Sequence, residues 1–288
     1  MVDRLEWRCV KKLKFKLTIA YDGTNYAGWQ VQQTGIGVQQ RVEEAFAKIF
    51  PSVRQIHSSS RTDTGVHALG MVAHVEIPRT ELKMPPAKLP LAINAHLPQD
   101  IRVMDAVRCR SSFHARFDAT GKQYRYFVWN HRTMNPLLRH QAWAVHQPLD
   151  LDAMRAAARH LVGRHDFTSF AGTRNYRLLK TESAVRTVTR CEIIKRGPLL
   201  TFVIEGDGFL YKMCRCFVGT LVQVGQGKFN PADVKEMLSK KDRGTAGMTA
   251  PAQGLVLWKV MYGLKAGRKR APGTAREKVE THGPVIAT

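Results

Sequence analysis

The sequence predicts a mixed α+β protein made of two similar halves, and three observations carry that reading. Apolar residues alternate at strand spacing in several short runs. They recur at helical spacing in others, and the two kinds of run follow one another along the chain. Residues 14–20 alternate, with Phe15, Leu17 and Ile19 on one face, as a half-buried strand that Tyr21-Asp22-Gly23 breaks. Val38, Val42, Ala45, Phe46 and Ile49 share one helical face, so a helix covers 39–50 and ends before Pro51. Residues 53–59 and 71–77 read as strands, 85–95 as a helix and 101–108 as a strand. In the second half, 123–129 alternates as a strand. Asp150 opens a helix as its N-cap, Met154, Ala157, Ala158 and Leu161 fill its inner face, and Gly163 closes it. Residues 185–195 and 199–205 flank Arg196-Gly197-Pro198 as a hairpin. Helices follow over 212–224 and 231–240, and 255–261 is a last strand. The halves span 13–110 and 111–262, between a basic N-terminal extension (1–12) and a flexible basic tail (263–288).

Composition narrows the function. In 288 residues, 44% hydrophobic content is enough for a real core and excludes a mostly disordered chain. Lys plus Arg number 45 against 23 Asp plus Glu, a net charge of +22. The tail from Gly263 carries six basic and two acidic residues, so most of the excess belongs to the body. A folded body this basic points to a polyanionic partner, nucleic acid before an anionic membrane surface. No apolar run reaches the roughly 18 residues of a membrane span, and the charged N-terminus lacks the apolar stretch of a secretory signal. The cysteines (Cys9, Cys109, Cys191, Cys214 and Cys216) are scattered and odd in number, as expected of a reducing cytoplasm. Cys214-x-Cys216 lacks zinc spacing, and the positions of His57, His67 and His74 suggest no tetrahedral metal site.

The segment from Ser58 to Ala68, Ser-Ser-Ser-Arg-Thr-Asp-Thr-Gly-Val-His-Ala, is a polar loop between two apolar runs. Asp63 is its one carboxylate. An aspartate in a turn commonly caps its own backbone. Equally, a lone carboxylate two residues after an arginine in a basic protein is a candidate catalytic group.

Arg61 to Ala68 resembles the active-site loop of the tRNA pseudouridine synthase A family. Five further blocks resemble that family in its own order, from about residue 14 to 262. They are Tyr21 to Gln30, Phe113 to Phe117 with Lys122 to Tyr126, Asp166 to Phe170, Phe209 to Leu221, and Ala250 to Leu255. The resemblance implies a pseudouridine synthase fold with an active-site cleft between the halves. It implies an isomerase that converts uridine to pseudouridine at positions 38, 39 and 40 of tRNA, in the anticodon arm, with no cofactor and no metal. It also implies a homodimer that binds tRNA. By resemblance Asp63 is the key catalytic group and Arg215 its ionic partner. Arg61 assists flipping of the target base, Tyr124 stacks on the uracil, and Arg116 joins in substrate binding. The alternatives are plain: Arg215 as a surface or RNA-backbone arginine, Tyr124 as a core aromatic, and the whole chain as a non-catalytic RNA binder. Trp29 and Phe170 are expected in the core. Two departures stand out. Ser59-Ser60 replaces the family's usual Ala-Gly pair, which would strain Ser60 if that glycine needs a positive φ. Thr64 stands where Ala is commoner.

Overall fold

The computed structural model describes residues 11–172 and 183–263. Most of the N-terminal extension, Cys9 and the basic tail from 264 onward lie outside the described residues. The first half contains β1 (Lys12–Tyr21), α1 (Val38–Ile49), β2 (His57–Ser58), β3 (His67–Pro78), α2 (Leu89–Asn94) and β4 (Ile101–Arg108). The second contains β5 (Ala119–Asn130), β6 (Trp143–Val145), α3 (Leu151–Arg159), β7 (Gly163–Asp166), β8 (Val185–Arg196), β9 (Leu199–Gly206), α4 (Met213–Gly225), α5 (Asp233–Lys240) and β10 (Leu255–Tyr262).

The strands of both halves lie in one continuous mixed sheet, in the order β4-β1-β3-β10-β5-β9-β8-β7, with helices packed against it. The alternation read in β1 is realised: Phe15, Leu17 and Ile19 are fully buried, and they face Val75, Ala73 and Met71 of β3. Asp150 caps α3 by accepting the backbone N–H groups of Asp152 and Ala153. The hairpin of β8 and β9 turns on Gly197, whose φ of +54° favours glycine.

The seam is made by β10. It pairs in parallel with β3 and antiparallel with β5, so Leu257 lies opposite Ala68 on one side and Tyr124 on the other. This strand therefore sets the exit of the Asp63 loop beside Tyr124, two segments far apart in sequence.

Two expected elements differ. The strand expected at 53–59 shrinks to His57–Ser58, because α1 takes the backbone of Ile56. Glu43 accepts the Ile56 N–H at 2.9 Å, and Gln39 Nε2 donates to the Ile56 carbonyl at 3.2 Å. The helix expected at 85–95 is divided into a 3-10 turn, Pro86–Lys88, and the short α2. Pro90 has no N–H with which to continue an α-helical ladder from Pro86.

Candidate active site

The Tyr21 to Gln30 block forms the bed of the Asp63 loop. Tyr21 Oη and Thr62 Oγ1 lie 2.8 Å apart in a buried hydrogen bond. The Trp29 N–H donates to the Thr62 carbonyl, and the Gly65 N–H donates to the Tyr26 carbonyl. Buried His67 accepts the Gly23 N–H at Nδ1, 3.0 Å away, while its Nε2 lies 3.0 Å from the Gln253 carbonyl oxygen. The imidazole thus ties three blocks together, and a structural role accounts for it. The same Nδ1 lies 3.0 Å from Asp22 Oδ1, which also accepts the Thr24 N–H and hydroxyl. The loop turns over Asp63-Thr64-Gly65-Val66, with Val66 N–H donating to the Asp63 carbonyl and Gly65 at a φ of +75°.

Gly28 shows how close this packing is. Its φ is +91°, and a Cβ there would stand 2.4 Å from the Thr62 carbonyl oxygen. We expect Gly28→Ala to cost about 1–3 kcal/mol from backbone strain alone, with the contact adding to it, read as a lowered denaturant midpoint. Activity should fall with it, because the displaced segment carries Asp63. An unchanged midpoint would show that the loop does not depend on this bed.

Ser59 and Ser60 are buried in the loop. Lys212 and Lys241 are the non-glycine residues with positive φ among the described residues, so Ser60 carries no left-handed strain. The Ser60 hydroxyl is buried beside the Tyr124 phenol without meeting hydrogen-bond geometry.

Arg215 sits in the first turn of α4 and reaches across the seam. Its Nη1 donates to Asp63 Oδ2 at 3.2 Å, and its Nε donates to the Ala250 carbonyl at 2.8 Å. The Ala250 N–H returns a bond to the Arg215 carbonyl. The side chains of Arg215 and Asp63 are 13% and 20% exposed, which separates Arg215 from an ordinary surface arginine. Among the described residues Asp63 Oδ1 has no partner, so one carboxylate oxygen is held and the other is free. The Asp166 to Phe170 block stands behind α4: Phe167 and Phe170 are fully buried, with rings 5.3 and 5.1 Å from that of Phe217. It is a brace for the Arg215 helix.

Tyr124 and Tyr126 point to the same side of β5, and the structure separates them. Tyr126 is fully buried and donates to the Pro251 carbonyl. Tyr124, 7% exposed, lines the cleft and meets Phe209 edge-on at 5.4 Å. Burial pushes its phenol well above the ordinary tyrosine range, so it keeps its proton at any working pH.

Asp63, Ser60 and Tyr124 line a cleft of about 610 Å³. Among the described residues Asp63 is the one Asp or Glu that lines it; Arg61, Arg116, Lys122, Arg186 and Lys212 are the cations. Arg61 and Arg116 are exposed at its walls. At one end His57, His74 and His114 cluster, with His57 and His74 stacked at 4.9 Å. Burial brings His74 down to about 4, and its Nδ1 accepts the Ala115 N–H. Trp29 is buried, as expected, although it also touches the cleft. Sequence reasoning missed Lys122, Arg186, Phe209 and Phe117 as lining residues. For Lys122 a signal existed, since it lies two residues before Tyr124 and so on the same strand face.

Among the described residues, a lone carboxylate held by one arginine stands in an otherwise cationic cleft, a setting that suits a polyanionic substrate. The comparisons with known proteins make this specific. The sequence profile of the tRNA pseudouridine synthases matches residues 17–118 and 157–263. The chain is 45% identical over 249 residues to the tRNA pseudouridine synthase A of Exiguobacterium sibiricum, covering 86% of this chain and 96% of that protein. It is 42% identical over 246 residues to that of a Thermoanaerobacter species, covering 85% and 98%. It is 43% identical over 252 residues to that of Bacillus licheniformis, covering 87% and 99%. The chain belongs to the tRNA pseudouridine synthase family.

Among the described residues, no helix is long and apolar enough to cross a membrane.

Proposed function

We propose that this protein isomerises uridine to pseudouridine in the anticodon arm of tRNA, at positions 38, 39 and 40, with Asp63 as the key group. The observation that carries the assignment of Asp63 is its 3.2 Å contact with Arg215 in the cationic cleft, with the second carboxylate oxygen free.

The reaction breaks the N1–C1′ bond, turns the uracil, and joins C5 to C1′; C5 gives up its proton and N1 gains one. Atoms and electrons balance without an external redox partner. The Asp63 carboxylate can serve in two ways: its free oxygen attacks carbon, or it removes a proton while positive charge develops on the sugar. Arg215 holds the carboxylate aimed through Nη1. Arg61, exposed on the cleft wall, is placed to enter the gap left by the flipped nucleotide, whose unstacking costs a few kcal/mol. Tyr124 offers an aromatic face to the uracil, and its protonated phenol can donate or relay a proton. Arg116 faces the RNA strand. Two chains form a homodimer that works in the cytoplasm, with net charge +22 on each chain drawing in the RNA.

The test uses tRNA labelled with [5-³H]uridine. The protein should release tritium and leave pseudouridine in the digested product, with release stopping when positions 38 to 40 carry no uridine. No release at protein concentrations that bind the tRNA would overturn the isomerase reading in favour of a non-catalytic RNA binder. Release that persists without those uridines would overturn the site assignment alone.

A further inference from the structure

Among the described residues, Lys122 is a cation without a counter-charge. It leaves β5 on the same face as Tyr124, is half-buried, and lines the cleft. The charged side chains that bear on it are Arg116 and Arg186, both cationic. Cys214, the remaining titratable neighbour, is a buried thiol held protonated by desolvation. Among the described residues no carboxylate and no hydrogen-bond acceptor meets its Nζ. Burial, with the two arginines, brings the ammonium down to about 8. Arg186, which lines the cleft, spends Nη1 on the carbonyls of Ser183 and Val185, while Arg116 forms no ion pair among the described residues.

Lys122 and the two arginines share the cleft wall and repel one another, and among the described residues no carboxylate pairs with Lys122, so they are costly to hold together and to desolvate. An anion in their midst relieves both costs. Lysine and arginine are the natural donors to phosphate oxygens, lysine as a point charge and arginine as a fork. We propose that Lys122, flanked by Arg116 and Arg186, is a phosphate-receiving subsite that binds a backbone phosphodiester adjoining the uridine presented to Asp63. This rests on the proposed reaction for the identity of the nucleic acid. The argument for an anion rests on the unpaired cations themselves. The subsite would hold the strand as the base leaves its stack, so that the sugar is delivered at a fixed distance from the carboxylate.

The test is tRNA binding, measured against salt and against pH, for the wild type, Lys122→Met and Lys122→Arg. Losing one phosphate contact should reduce the slope of log K against log salt by about 0.7–0.9 in Lys122→Met, and Lys122→Arg should keep the wild-type slope. A phosphodiester binds the protonated amine and raises its pKa in the complex. The contribution is therefore full below the free value near 8 and is lost as pH rises through the bound value. Wild-type affinity should fall several-fold from neutral pH to above pH 9 relative to Lys122→Arg, whose guanidinium does not titrate there. A Lys122→Met protein that melts like the wild type and keeps both its slope and its pH profile would overturn the subsite. If Lys122→Met does not fold, matching pH profiles for wild type and Lys122→Arg would overturn it instead. Tritium release by the wild type is scored separately. A changed slope without release leaves the phosphate subsite standing and removes the isomerase reading.

Discussion

Replacing Asp63 by asparagine should abolish tritium release while leaving tRNA binding intact. The substitution keeps the size of the side chain, and the new amide oxygen can still accept from Arg215 Nη1, which now reaches Asp63 Oδ2 at 3.2 Å. The loop bed does not involve the carboxylate, since Tyr21, Trp29, Tyr26 and His67 hold the loop through Thr62, the Gly65 backbone and the Gly23 contact. The fold should therefore survive. What is lost is the negative charge, needed both for attack on carbon and for proton removal. By analogy with removal of a nucleophile or base elsewhere, the rate should drop by at least about 10⁴-fold. Removing a carboxylate from a cationic cleft should hold tRNA affinity constant or raise it. Single-turnover release together with filter binding reads both quantities. A variant that keeps a tenth of the wild-type rate would remove Asp63 from the chemistry, whatever its binding.

Much of this site could be found in the sequence, but its connections could not. Strands with one buried face, such as β1, announce themselves by alternation, and α1 does so by its row of Val38, Val42, Ala45 and Phe46. The 53–59 strand failed because β-like composition says nothing about two helix side chains that bind Ile56 first. β6 and β7, three and four residues long, are too short for a period to emerge. The motif blocks marked Asp63, Tyr124 and Arg215, yet gave each block equal weight. Packing assigns them different tasks: the Tyr21 block cradles the loop, the Asp166 block braces α4, and the Ala250 carbonyl aims the arginine. The cation group of Arg116, Lys122 and Arg186 is drawn from the segment before β5, from β5 and from β8, and no local pattern joins them.

Arg215 supplies the second large effect, and the two bonds of its guanidinium define how the effect should appear. Nε is committed to the Ala250 carbonyl and Nη1 to Asp63, so the planar fork converts the position of the 250–254 loop into the position of a carboxylate oxygen. Arg215→Met removes both bonds. It leaves Asp63, 20% exposed, without its ionic partner and free to turn. Misplacing a reacting group by about an ångström costs on the order of 10²-fold, and losing an aimed charge-assisted donor costs about 10²–10³-fold. The kcat of Arg215→Met should fall by roughly that range. Arg215→Lys restores the charge but offers one ammonium for two acceptors. Its kcat should lie between Arg215→Met and the wild type, well short of full recovery. In both variants KM for tRNA should stay near the wild-type value, because the guanidinium is spent on protein groups and not on phosphate. A raised KM with unchanged kcat would identify Arg215 as an RNA-backbone contact and leave Asp63 to be positioned by its loop alone.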